Sequence, residues 1–213
     1  MSDEEKNYVT TIEFALHPTV SLRVSLHKSI PTNPHNVVNQ LFAIPNNSNS
    51  EKFVIFDAQK VVSLEQIAIA ANTALLRRFQ FEQKNGISRR GIALETILCC
   101  AGSTNTATVL RDYAFDQNST AATKEGTGCN GNYDVFCLGF CESDEEFIKV
   151  ISSVGLGKAA NKSDLDAHLS RKRNEQEMKD LMKAYKVTPA EVDFQGSSLE
   201  KGVANRVAAK FHT

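Results

Sequence analysis

The sequence predicts an α+β protein, a small and mainly antiparallel or mixed sheet of about four strands flanked by helices. Three observations carry that expectation. Residues 20–26, Val-Ser-Leu-Arg-Val-Ser-Leu, alternate strictly between apolar and polar. Residues 63–66, Ser-Leu-Glu-Gln, form a capping box ahead of an apolar stripe at helical spacing. No composition break, repeat or low-complexity tract divides the 213 residues.

Taken in order, residues 1–19 read as an N-terminal extension and 20–213 as one domain. The first strand places Val20, Leu22, Val24 and Leu26 on one face and Ser21, Arg23 and Ser25 on the other. Pro31 and Pro34 end it, and a short helix is expected over about 36–42. Residues 45–51 are a polar loop, and Phe53–Phe56 a short buried strand. The helix opened by Ser63 carries Leu64, Ile67, Ala68, Ala71, Ala74 and Leu75, with Arg77 and Arg78 near its C-terminal end.

A strand is expected over 92–101, then a Gly-Ser-Thr-Asn turn capping a helix over about 105–115. Residues 117–132 read as a long loop, and 134–141 as the fourth strand. Asp144-Glu145-Glu146 opens a helix with its acids in the first turn. Residues 155–177 are polar and charged and are expected as an extended surface linker. Met178, Leu181, Met182 and Tyr185 face a further helix inward. Ser197 and Glu200 form a second capping box, which starts a last helix with Leu199, Val203, Val207 and Phe211 four apart.

Apolar residues make up 41% and charged residues 23%, with a formal net charge of −1. No global field attracts nucleic acid, so an RNA contact requires a local basic patch. No apolar run reaches bilayer length, and the acidic N-terminus lacks signal-peptide character, so cytoplasm and nucleus are the expected location. Five cysteines, an odd number in apolar company, suit free thiols in a reducing compartment.

The stretch Ala93–Asn105, ALETILCCAGSTN, puts a glutamate and two thiols beside a polar turn. On a strand, Cys99 and Cys100 point to opposite faces and cannot share a metal. In apolar surroundings they hold little thiolate. Cys137 and Cys141 share a face but lack the ligand spacings of a zinc site. Gly155-Leu156-Gly157-Lys158 fails as a phosphate loop, because Ser152 stands where the first glycine belongs and Ala159 follows the lysine. The five histidines are scattered without a metal or triad pattern. No cofactor or metal is expected.

Two features point to binding. Arg77, Arg78, Lys84, Arg89 and Arg90 cluster within a short span that could hold several RNA phosphates. In the last helix, Gly202, Ala204, Ala208 and Ala209 widen the apolar surface beyond the Leu199–Val203–Val207 line, and such a helix needs more than one partner.

The ordered set VVSLEQIAIAANTALL, ISRRGIALETILCCAGSTNTATVLRDYAF, MKAYKV and SLEKGVANRVAAK resembles the kinase-binding subunit family of the KEOPS/EKC complex, the PRPK-binding or TPRKB-like proteins. Arg90 and Glu95 match its arginine and strand glutamate, Leu110 and Tyr113 its helix positions, and Tyr185 with Lys186 its late motif. Thr106 replaces an aliphatic residue, Ala114 replaces a glycine, and Gly102 occupies the turn. The stretches 117–132 and 155–177 are longer than usual for the family.

The resemblance implies a non-catalytic subunit. It would bind the complex's small atypical kinase/ATPase and help recruit tRNA for N6-threonylcarbamoyladenosine formation at position 37. It also implies Leu199, Val203 and Val207 as the kinase face and Arg89 and Arg90 as RNA contacts. Arg77, Arg78 and Lys84 join the RNA set on charge alone. A cysteine-dependent hydrolase or transferase, or a free-standing RNA-binding protein, stands as the alternative reading.

Overall fold

The computed structural model describes residues 7–30, 49–85, 91–113, 133–194 and 198–209. Four strands form one antiparallel sheet: β1 (Thr10–Glu13), β2 (Ser21–Ile30), β3 (Phe53–Asp57) and β4 (Tyr133–Phe140), in the order β1-β2-β4-β3. Among the described residues the helices are α1 (Asn49–Lys52), α2 (Leu64–Asn85), α3 (Ile92–Ala101), α4 (Thr106–Tyr113), α5 (Asp144–Ser153), α6 (Lys162–Ser170), α7 (Glu175–Tyr185), α8 (Pro189–Phe194) and α9 (Leu199–Ala209). A 3-10 turn, Ala58–Lys60, follows β3.

Both sheet faces are covered, and the period of two sorts the side chains between two cores. Leu22, Val24 and Leu26 of β2, Val54 and Phe56 of β3, and Phe136, Leu138 and Phe140 of β4 enter the larger core with α2, α3, α7 and α9. Phe53, Ile55, Val135 and Cys137 face the other way, onto Phe147, Val150 and Ile151 of α5. Burial on both faces explains why β3 and β4 read as continuous apolar runs, whereas β2 alternates. Its far face carries Arg23, Ser25 and His27, each buried. Arg23 closes the sheet end, with Nε on Asp144 Oδ1 at 3.2 Å and Nη2 donating to Glu142 O at 2.8 Å.

His27 Nε2 lies 2.9 Å from Ser25 Oγ, beside a water-sized cavity of about 10 Å³. Burial pushes its pKa down from 6.5 to about 4, only partly offset by the Leu156–Lys158 backbone. The folded chain therefore holds the ring neutral. Above pH 6.5 both folded and unfolded chains do so; below it the unfolded chain takes up a proton that the folded chain refuses until about pH 4. Stability is complete above 6.5 and is expected to fall by about 3 kcal/mol as pH drops toward 4. His168, also buried, adds in the same direction. Urea unfolding at stepped pH tests this: His27→Gln should flatten the fall, and an unchanged slope would refute it.

Four differences from the sequence expectation have physical causes. Residues 92–101 are the helix α3, not a strand. Eight of its side chains are buried, from Ile92 and Ala93 to Ala101, so a helix apolar almost all round left no periodicity to read. The expected linker 155–177 contains α6, whose only buried residues are Leu165 and His168. With so thin an apolar face, its sequence looks like solvated chain, although Asn161 caps it by accepting the Asp164 amide at 2.8 Å. Pro189 opens α8, a short helix absent from the sequence expectation, at a position where a missing amide costs nothing. In place of a strand at 92–101 the sheet takes β1, which pairs Thr10–Glu13 with Val24–Ser21 from within the expected extension. The short helix expected over 36–42 and the loop 117–132 lie outside the described residues.

Candidate interaction surfaces

The capping at Ser63 departs slightly from the standard box. Ser63 Oγ accepts the Gln66 amide at 3.1 Å, but Gln66 Oε1 takes the amide of Val62 at 2.9 Å. That orientation aims Gln66 Nε2 into the core, where it donates to Tyr185 Oη at 2.6 Å and lies 3.2 Å from Cys100 Sγ. Tyr185 Oη in turn donates to Lys60 O at 2.6 Å. A fully buried tyrosine thus fastens the end of α7 to the start of α2. The next residue, Lys186, takes the left-handed conformation that ends α7 (φ 56°), with its amide bonded to Lys183 O.

Cys99 and Cys100 are buried, as expected, but on a helix. Burial pushes the Cys99 thiol up to about 11, and Cys141 likewise. Cys137 is raised further by complete burial. These thiols supply no thiolate at neutral pH. Gly102 is left-handed (φ 58°) and ends α3, while Asn105 Oδ1 caps α4 by accepting the Thr108 amide at 3.2 Å. The polar turn is therefore two caps back to back. Among the described residues, no group of three His, Cys, Asp or Glu could hold a metal ion.

The arginine cluster is only partly assembled. Arg77 is paired with Glu95 Oε1 at 2.8 Å across α2 and α3, with Nη1 also 3.8 Å from Cys99 Sγ. Its charge is thereby matched within the chain. Arg78 lines a groove of about 320 Å³ with Val20, Leu75, Ile92, Phe140 and Glu142. Phe79, next to Arg78 in the chain, is 53% exposed and meets the His17 ring edge-on, and Leu16, just before His17, is 68% exposed. Lys84 belongs to α2, but its side chain, like Arg89 and Arg90, lies outside the described residues.

The last helix does not present the expected line to a partner. Leu199, Val203 and Val207 are all buried, Val203 completely, in the core shared with α2 and α7. The second apolar side of α9 is also used within the chain: a Cβ on Gly202 would lie 3.1 Å from Val187 Cγ1. The helix has its several partners in α2, α3, α7 and α8. Its exposed residues are Lys201, Asn205 and Ala209. Ser197, the expected cap, lies outside the described residues, and Ser198 O accepts the first amides of the helix. Glu200 faces Arg173 at 3.7 Å.

A concavity that the sequence did not reveal lies between the α3–α4 turn and the end of α7. It measures about 720 Å³ and is lined by Lys60, Lys183 and Lys186 above Ala101, Val109, Tyr113 and Ala184. Lys60 is far in sequence from Lys183 and Lys186 and meets them only through the Tyr185 latch, so no local charge pattern announced the three together.

Comparison with protein families gives these surfaces their context. The model of the family described as kinase binding protein CGI-121 matches residues 28–211. The chain belongs to that family. A search of curated proteins returned no match. Two positions that resemble the family are structural here: Glu95 neutralises Arg77, and Tyr185 is the buried latch. Tyr113, which donates to Ala184 O at 3.1 Å, braces the CGI-121 fold from α4 to α7. No described helix is long and apolar enough to cross a membrane.

Proposed function

We propose that this CGI-121 family chain is the non-catalytic subunit of a KEOPS/EKC complex. It binds the small atypical kinase/ATPase and helps recruit tRNA for N6-threonylcarbamoyladenosine formation at position 37, in cytoplasm and nucleus. The observation that carries this reading is the kinase-binding family match over residues 28–211. The four described cysteines are buried, and burial holds Cys99, Cys137 and Cys141 as thiols, which favours adhesion over a cysteine-dependent hydrolase or transferase.

The kinase face is built on the exposed side chains of Leu16 and Phe79, with the groove that Arg78 lines. Exposed apolar side chains mark protein interfaces, and an apolar-lined groove can receive a partner's anchor. Leu199, Val203 and Val207 serve that face indirectly, by fixing α9 against α2. Charge for RNA comes from Arg78, Lys84, Arg89 and Arg90, with Arg77 already matched by Glu95.

Leu16→Glu combined with Phe79→Glu tests the kinase face in the full chain. Both sites are exposed, so stability should move by about 0.5 kcal/mol or less each. Kinase capture in a pull-down should drop at least about tenfold, or about 1.4 kcal/mol. Undiminished capture by this folded variant would remove the surface from the interface.

A further inference from the structure

We propose that Thr188 is a phosphorylation site for a proline-directed serine/threonine kinase, and that its phosphate settles among the lysines at the end of α7. The proposal goes beyond the reading above and stands or falls apart from it.

The sequence is the first argument. Its five prolines follow His17, Ile30, Asn33, Ile44 and Thr188, so Thr188-Pro189 is the one step at which a hydroxyl residue precedes proline. Proline fixes its own φ and keeps the residue before it extended. A proline-directed kinase needs its acceptor extended and reads the ring that follows. The chain meets both demands: Val187 and Thr188 lie between α7 and α8, outside either helix, and Thr188, Pro189 and Ala190 are exposed.

Access to the hydroxyl is the second. Thr188 Oγ1 donates to Glu191 Oε2 at 2.9 Å, and the same carboxylate oxygen accepts the Thr188 amide at 2.7 Å. Both bonds are exposed, so water takes over the hydroxyl bond at little cost when a kinase engages the site. The hydroxyls of Ser25, Thr73 and Thr96, by contrast, belong to buried residues.

Charge is the third. Glu191 is anchored toward α9, with Arg206 Nη2 2.7 Å from its Oε1. That arginine, with the Thr188 amide and hydroxyl, pushes the Glu191 pKa down to about 2, so the group is a carboxylate at neutral pH. A phosphate on Thr188 is repelled by this anchored carboxylate and turns away from it. Lys179, Lys183 and Lys186 line a shallow groove of about 490 Å³ together with Thr188, and no carboxylate lines it among the described residues. Lys179 is paired with Glu175 at 2.6 Å, whereas Lys183 and Lys186 form no ion pair among the described residues. Each charge thus has its own partner: Arg206 for Glu191, the lysines for the phosphate. Modification takes the groove from three positive charges to about one.

The step transfers a phosphoryl group from Mg·ATP. Thr188 Oγ1 attacks the γ-phosphorus, and the new O–P bond forms as the bond to the β,γ-bridging oxygen breaks. The hydroxyl proton passes to the kinase's catalytic aspartate, and ADP leaves.

The test incubates the folded full chain with a purified proline-directed kinase of the mitogen-activated class and Mg·ATP, and locates phosphate by intact-mass and fragment mass spectrometry. One phosphoryl group should arrive at Thr188. Thr188→Val should abolish it, Thr188→Ser should restore it, and Pro189→Ala should slow it at least about tenfold, with folding of each variant checked by thermal unfolding. By phosphorus NMR, the second pKa of the phosphate, ordinarily about 6, should fall by about half a unit or more, because neighbouring cations favour the dianion. Lys183→Gln/Lys186→Gln should bring it back. Folded wild-type chain that takes no phosphate at Thr188, or a Pro189→Ala variant that takes it as fast, overturns the site. A phosphate pKa that the lysine variant leaves unmoved overturns its place in the groove.

Discussion

Val203→Glu is expected to unfold the C-terminal part of the protein rather than to detach a partner from an intact fold. Val203 is completely buried in α9, in the core that α9 shares with α2 and α7. A glutamate there has either to bury an unpaired carboxylate or to take up a proton and still leave its polar atoms unsatisfied. An uncompensated buried charge costs about 3–5 kcal/mol, a large part of the about 5–15 kcal/mol that holds a domain folded. Val203→Ala, which only removes apolar volume, should cost about 1.5–3 kcal/mol and remain folded. Urea unfolding ranks the two, and kinase capture is read on the folded fraction. A Val203→Glu protein with native stability that loses only the kinase would return Val203 to the interface.

The distinction matters for how much of the molecule was legible. β2 and α2 were readable because each sets polar residues opposite its apolar ones: Leu22, Val24 and Leu26 alternate with Ser21, Arg23 and Ser25, whose face is polar although largely buried, and Ser63 caps an amphipathic stripe. α3 was not, because it is buried almost all round and the periodicity that separates helix from strand vanishes. α6 failed for the opposite reason, its inward face being reduced to Leu165 and His168. The apolar line of α9 was legible as a pattern, but its burial within the chain was not. Sequence shows that a helix needs several partners, but not that α2, α3, α7 and α8 are all in its own chain. The lysine cleft was invisible because Lys60 meets Lys183 and Lys186 only after Tyr185 closes on Lys60 O. Conversely, Arg77 looked available and is spent on Glu95, a pairing that a strand at 92–101 would have hidden.

A glycine in the central strand gives the other large effect. β4 lies between β2 and β3, with Gly139 paired to Arg23 on one side and Phe53 on the other. Glycine weakens a strand, so its presence there needs a steric reason. A Cβ at this position would lie 2.6 Å from Phe53 Cε1 and 2.7 Å from Phe147 Cδ2. Those rings stack with centroids 5.9 Å apart and have almost no solvent-exposed surface, so neither has room to swing away.

Gly139→Ala should cost about 1–3 kcal/mol through overpacking, and Gly139→Val more. The effect should reach the proposed kinase groove, since Phe140, Cys141 and Glu142 of its wall follow directly in the chain. A double-mutant cycle isolates the cause. Phe147→Leu alone leaves a cavity and destabilises; combined with Gly139→Ala, the added methyl enters that space. The pair should then be more stable than the sum of the single losses, by about 0.5–3 kcal/mol. Strict additivity in chemical denaturation would mean that the glycine is required by something other than the Phe53–Phe147 stack.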